Sequence, residues 1–323
     1  MVFYIYECKI PISGIICMRF GEHPHVSKNP DDHYFIEDDN LSGKNGDDYL
    51  LKNTPIFTRS IEDTVEPRKV SPTPLLELKN ITKNFVDGRG NEIVVLNDIK
   101  LSINHHEYIS IVGPSGGGKS TLLRIIMGLE RSTSGDVFFK GEALKGKVSP
   151  HTAIVFQSFG LFPWLTVAEN VEFGLESAHI SKDDRRKKTL GIIQEVGLEG
   201  FENAYPRELS GGMKQRVGIA RALVTDPEVL LMDEPFSSLD PLTAQALREE
   251  ILKVWSNRFT TPDVVIMVTH NVEEAVYLSD RVVVLSARPA CVVKDIQIDI
   301  PRPREKRDSS IYDYTDQITT LIA

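Results

Sequence analysis

Short, mostly apolar runs recur along this chain, each leading within two residues to a glycine, an acid or a histidine. Tyr108-Ile109-Ser110-Ile111-Val112, Val229-Leu230-Leu231-Met232 and Val264-Val265-Ile266-Met267-Val268 are the clearest. Runs of four or five without alternation suit parallel strands buried on both faces. Between them the period changes. Thr121-Leu122-Leu123-Arg124-Ile125-Ile126-Met127 has helical spacing, and beyond Met213 the residues Val217, Ala220, Leu223 and Val224 share one helical face. Strands alternating with helices predict an α/β domain. Residues 21–73 break the pattern, being rich in Asp, Asn, Ser, Pro and Lys with few periodic apolar positions. Such a composition buries too little surface to order itself, so residues 1–73 are expected to form a largely disordered extension. The domain proper is then 74–300, followed by a short tail over 301–323.

The strand ending at Val112 runs into Gly113-Pro114-Ser115-Gly116-Gly117-Gly118-Lys119-Ser120, with Thr121 next and a helix beyond. This fits the phosphate-loop pattern G-x-x-x-x-G-K-[ST] in its required strand–turn–helix context. Glycines let the backbone wrap an anion where a Cβ would block the approach. Free N–H groups and the positive dipole end of the helix favour phosphate. Lys119 is placed to reach β- and γ-phosphates of ATP, and Ser120 to put its hydroxyl on Mg²⁺. The strand at 229–232 ends in Asp233-Glu234-Pro235. Asp233 is expected to hold Mg²⁺ through water, and Glu234 to orient and polarise an attacking water.

A second helix start lies farther on. Leu209-Ser210-Gly211-Gly212-Met213 puts Ser210 at an N-cap position, and Gly211 and Gly212 leave the approach open. This makes an anion-binding helix end with no lysine of its own. Because the first loop already wraps its own phosphates, a head-to-tail pair is the natural arrangement, each Ser210-Gly211-Gly212 end covering the partner's γ-phosphate.

With these stretches in this order, the chain resembles the ATP-binding subunits of ABC transporters. The resemblance runs from about residue 75 to about 304. It implies that Gln157 in Val155-Phe156-Gln157-Ser158 contacts Mg²⁺ and senses a transmembrane partner. Ser237-Ser238-Leu239-Asp240 matches the loop at the dimer seam, bringing Asp240 to the nucleotide. It also implies that His270 contacts the γ-phosphate and that Phe85 stacks on adenine. The implied fold is a RecA-like P-loop NTPase core of α/β type with a parallel sheet. An antiparallel β-subdomain near residues 74–112 and a helical subdomain near 160–222 complete it.

The implied activity is ATP hydrolysis at the cytoplasmic face of the membrane. A second copy of the subunit, permease subunits and, indirectly, a solute-binding protein would be its partners. Phe162-Pro163-Trp164, Val272-Glu273-Glu274-Ala275-Val276-Tyr277 and Ser286-Ala287-Arg288-Pro289 look like the nitrate, sulfonate and taurine importer branch. An importer for thiamine-precursor pyrimidines would look nearly the same. A soluble ABC ATPase acting on ribosomes or DNA would typically carry two cassettes or a long coiled coil.

Composition trims the alternatives. A net charge of −9 disfavours nucleic acid. No apolar run reaches the roughly 18–20 residues that span a bilayer. Residues 10–18 come nearest, but Pro11 breaks them and a secretory signal's basic start is lacking. Cys8, Cys17 and Cys291 are scattered and fit a reducing compartment. Cys8 and Cys17 with His23, His25 and His33 match no zinc spacing. A start of translation at Met18 or later would also account for the unusual extension. The charged run 182–188 reads as a solvated helix face, and the basic run 301–307 as a surface linker or, alternatively, as a contact for anionic lipid headgroups. His105-His106 stands where the resemblance expects Gly followed by Glu, which predicts a mildly strained turn in an intact fold.

Overall fold

A computed structural model describes residues 73–256, 262–305 and 308–322. The expectations for the extension, including its cysteines and histidines, lie outside the described residues. In chain order the elements are β1 (Leu76–Val86), β2 (Glu92–Ile103), β3 (Tyr108–Val112), α1 (Lys119–Met127), β4 (Ser134–Phe139), β5 (Glu142–Ala143) and β6 (Thr152–Val155). Then come α2 (Val167–Glu172), α3 (Lys182–Glu195), α4 (Gly211–Leu223), β7 (Val229–Asp233), α5 (Pro241–Ser256) and β8 (Val264–Val268). The last are α6 (Val272–Leu278), β9 (Arg281–Leu285), β10 (Val292–Gln297) and α7 (Ser309–Ile322).

The apolar runs become the centre of a sheet with the order β10-β9-β3-β8-β7-β6. Every residue of β3, β7 and β8 is buried, and these strands pair in parallel with their neighbours. One face carries α1, whose Leu122, Leu123 and Ile126 share a core with Leu76, Leu78 and Ile81 of β1. The other face carries α4 and α5 through Ile219, Leu223, Leu247 and Ile251. Because the central strands run the same way, the loops after β3, β6, β7 and β8 emerge on one edge, where α/β sheets bind ligands.

A second, antiparallel sheet has the order β2-β1-β4-β5. Its extent differs from the expected 74–112. The strand β3 belongs to the parallel sheet, since a strand buried on both faces needs helices on both sides. The antiparallel sheet is completed instead by β4 and β5, from beyond the phosphate loop. The helical subdomain has its own small core of Val167, Val171, Leu175, Ile193, Leu209 and Val217. Thr166 opens α2 with a capping box, and Ser181 caps α3. Most of the charged run on α3 is exposed, as a solvated face should be.

Two further regions answer expectations. In the His105-His106 turn, His106 has φ +60°, and Asp263 accepts from both imidazoles at 2.6 Å. The strain is offset by these bonds. The tail is not a surface linker. Arg304 is buried and donates to the carbonyls of Ile300, Val276, Tyr277, Ser279 and Ile298. Arg302 pairs with Asp280 and lies 4.8 Å from the Trp255 ring. Behind them α7 buries Ile311 and Ile318 in the core of α6 and β9. A helix C-terminus exposes unpaired carbonyls, and the last turn of α6 finds its donors in Arg304.

Candidate functional site

The phosphate loop closes over the end of β3. Gly118 stands at the N-cap of α1 with φ +90°, and a Cβ there would fall 2.9 Å from side-chain carbons of Val95 and Leu96. Only glycine meets both demands. At the other end, a Cβ on Gly113 would meet the Leu285 carbonyl at 2.7 Å. Ser115 and Gly116 form the exposed crest, with Pro114 and Thr121 half-buried on either side.

Lys119 folds back under the loop and is 5% exposed, its Nζ donating to the carbonyls of Gly113 at 2.8 Å and Pro114 at 2.9 Å. Burial lowers the lysine's pKa, while Glu234 and Asp233 work in the opposite direction. An ammonium has three donors, and two loop carbonyls leave it able to exchange partners for an anion.

The Ser120 hydroxyl donates to Asp233 Oδ1 at 2.8 Å. Burial pushes the Asp233 carboxyl up, opposed by the Ser120 hydrogen bond. A hydroxyl and a carboxylate at one point, beside a cradle for phosphates, suit a hard cation that keeps waters and shares phosphate oxygens. That is Mg²⁺ chemistry. Among the described residues no cluster of three or more His, Cys, Asp and Glu side chains is placed to hold a metal ion by itself.

Next along the chain, Glu234 holds the left-handed φ of +47°, costly for a residue with a Cβ, and its N–H is tied to the Val268 carbonyl at 2.9 Å. One carboxylate oxygen, Oε2, meets both Gln157 Nε2 at 3.2 Å and His270 Nδ1 at 3.3 Å. Three loops, after β6, β7 and β8, thus converge on one oxygen. Sequence does not single out Ser237 within Ser237-Ser238-Leu239-Asp240 as a site residue. Its hydroxyl accepts from Gln157 at 3.2 Å and donates to the Glu234 carbonyl at 3.0 Å. The missing signal was tertiary, since nothing in the spacing shows that 157 and 237 meet.

Other predicted residues stand apart from this network. Phe85 is 39% exposed with the Lys83 ammonium 4.6 Å above its ring. It pairs with Ile93 on β2, two residues from the Val95 that touches Gly118. An exposed aromatic face therefore stands near the loop. Ser210 caps α4, accepting from the Met213 N–H at 3.2 Å, and it is exposed together with Gly211. Gly212 does not keep an approach open. It is buried, and a Cβ there would strike Thr243 of α5 at 2.2 Å. Asp240 accepts from the Thr243 N–H at 3.1 Å and so caps α5. Hydrogen bonding from the Thr243 side chain, and then from its N–H, holds the Asp240 carboxyl below the usual range. None of Ser210, Gly211 or Asp240 has a hydrogen bond to the phosphate loop among the described residues. Trp164 is 67% exposed, leaning on Phe162 at 5.7 Å, and so lies outside the core.

Comparison with known proteins agrees with this geometry. The sequence profile of the ABC transporter family matches residues 96–237. An uncharacterized ABC transporter ATP-binding protein of Methanocaldococcus jannaschii is 47% identical over 76% of this chain and 91% of its own length. A nitrate import ATP-binding protein of Synechocystis is 42% identical, covering 76% and 94%. An aliphatic sulfonates import ATP-binding protein of Bacillus cereus is 40% identical, covering 75% and 94%. A dimeric ATP-binding cassette solved with ADP and phosphate superposes with a TM-score of 0.61 at 32% identity, over 70% of this chain and all of that one. This chain therefore belongs to the ABC transporter family, as one of its ATP-binding, ATP-hydrolysing cassettes.

Proposed function

We propose that the protein is the ATPase subunit of an importer for a small anion such as nitrate, a sulfonate or taurine, and that it works as a pair of identical cassettes beneath permease subunits. The observation that carries the reading is the convergence of Gln157, Glu234 and His270 on one carboxylate oxygen beside the Ser120–Asp233 pair. In this reading the loop N–H groups and Lys119 hold the β- and γ-phosphates, and Lys119 exchanges its two carbonyl partners for phosphate oxygens. Phe85 stacks on adenine. The Mg²⁺ ion would be held by Ser120, Asp233 and Gln157, and when bound it neutralises charge developing on the phosphate oxygens.

Glu234 orients the attacking water by accepting its proton in a hydrogen bond. His270 and Gln157 hold the carboxylate in place for that task. The exposed Ser210-Gly211 end and Asp240 face the nucleotide of a second copy, which explains their separation from the loop here; Gly212, buried against Thr243, lets α4 and α5 pack closely behind that end. The working unit runs from residue 74 through α7. Among the described residues no helix is long and apolar enough to cross a membrane, so attachment to the membrane's cytoplasmic face would come through the permease.

Glu234→Gln should keep ATP affinity while turnover falls about 10²–10³-fold, and full turnover in that variant would sink the assignment. The substrate is tested by purifying the protein with its permease in lipid and adding a solute-binding partner loaded with nitrate or an alkanesulfonate. Stimulated hydrolysis with one of them is the expected result. Recovery with ribosomes or DNA and no permease would overturn the transport reading.

A further inference from the structure

The turn between β9 and β10 lies against the phosphate loop at several points. A Cβ on Gly113 would meet Leu285, and one on Gly117 would meet the Ser286 carbonyl at 3.3 Å. At the crest, Arg288 Nε donates to the Gly116 carbonyl at 2.6 Å. The same turn is fastened to the antiparallel sheet, because the Ala290 carbonyl accepts from Asn97 N–H at 2.8 Å and its N–H reaches the Val95 carbonyl at 3.0 Å. It also holds itself. Ser286 N–H bonds the Cys291 carbonyl at 3.0 Å, and Ser286 Oγ accepts from Cys291 N–H at 3.0 Å. The Arg288 side chain contributes nothing to that internal bonding. Its single hydrogen-bond partner among the described residues is the loop carbonyl.

A trans peptide is planar, so its C=O and N–H point in opposite directions. Whatever holds the Gly116 carbonyl outward turns the Gly117 N–H inward, where Pro114 accepts it at 3.1 Å. Gly116 at φ +73° and Gly117 have no Cβ to restrain that plane, and glycine visits both signs of φ. Two hydrogen bonds hold the Gly116–Gly117 peptide, one from Arg288 to its C=O and one from its N–H to Pro114. We propose that Arg288 is a positioning residue for nucleotide binding. By holding the Gly116 carbonyl, it fixes that peptide plane and with it the crest of the loop that receives the phosphates. The inference rests on the phosphate-binding role given to the loop above. It adds a residue that lies about 170 positions away in sequence.

The test separates a hydrogen bond from a charge. Glutamine carries a neutral N–H donor the same number of bonds from Cα as arginine Nε. Arg288→Ala in the full chain should raise the KM for ATP about tenfold, the size expected for one lost charge-assisted hydrogen bond. Its kcat should stay within about twofold and its nucleotide-free melting temperature unchanged, as the turn keeps its own bonds. Arg288→Gln should restore most of the KM. The proposal is overturned if Arg288→Ala leaves KM unaltered, if Gln behaves as Ala, or if kcat falls at constant KM. A lowered melting temperature in both variants would also overturn it, as the mark of a merely structural residue. Lys119→Ala serves as the control. Should the wild type bind ATP and Lys119→Ala fail to, the loop's role stands whatever Arg288 does.

Discussion

Two buried cations, Lys119 and Arg304, are both solvated by backbone carbonyls, yet they do opposite work. Lys119 meets two carbonyls of its own loop and lies near two carboxylates. Arg304 meets five carbonyls, from the end of α6 and the segment that follows β10. Burial pulls the arginine down to about 10, with Arg302 adding to the effect, so it stays charged at neutral pH. The difference teaches how a cation becomes exchangeable or permanent. An under-coordinated ammonium on glycine-rich backbone can trade partners for an anion. A guanidinium with its donors spread over a helix end and the segment after β10 cannot leave without breaking the packing around it.

The comparison can be broken from either side. Lys119→Ala should weaken ATP binding at least about 100-fold, a loss typical of a buried charge contact to a ligand. Its melting temperature should hold, because the lysine is not needed to satisfy the fold. Equilibrium binding and a melting curve on the same sample decide this, and a collapse of stability would make Lys119 as structural as Arg304. Arg304→Ala is the converse. Leaving the carbonyls of Val276, Tyr277 and Ser279 without their donor should cost roughly 2–3 kcal/mol and loosen α7, with the KM for ATP little changed. Normal melting with lost ATP affinity would reverse the roles assigned here.

A smaller effect sharpens the picture from the acid side. Burial raises the Asp233 carboxyl, so the unfolded chain gives up this proton at lower pH than the folded one. The folded state therefore loses stability as pH climbs from the ordinary Asp range through the raised folded value, and the full cost remains above it. Asp233→Asn keeps an acceptor for Ser120 and removes that cost. Ligand-free protein should gain about 1 kcal/mol at neutral pH, a gain that fades below the ordinary Asp range, while Mg²⁺-dependent turnover is lost. Thermal melts across pH check it. An equal gain at every pH would place the effect in packing instead of charge.

Particular residues show where reading along the chain succeeds. The phosphate loop, the Asp233-Glu234 pair and the Ser210 cap were legible because each is a local device. A glycine run between strand and helix, an acid at a strand end and a serine before a helix carry their chemistry in adjacent positions. The fully buried strands were legible for the same reason, as contiguous apolar runs. Gly212 was misread, because its use depends on Thr243 of another helix. The antiparallel sheet was mislocated, because its last strands lie beyond the loop that interrupts it.

Local sequence therefore settled which backbone segments can wrap a phosphate, cap a helix or fill a sheet. Tertiary structure decided which of them meet. Only the order of strands in the parallel sheet brings Gln157 and His270 to the Glu234 carboxylate, with Ser237 bonded to Gln157 beside them, and only the packing of the β9–β10 turn sets Arg288 on Gly116. Residues 301–305 looked like a linker for the same reason. Arginines between prolines read as solvated until the carbonyls they satisfy, some 25 residues earlier at the end of α6, come into view. Bonding needs of that kind arise from chain ends meeting in space, and no spacing along the chain encodes them.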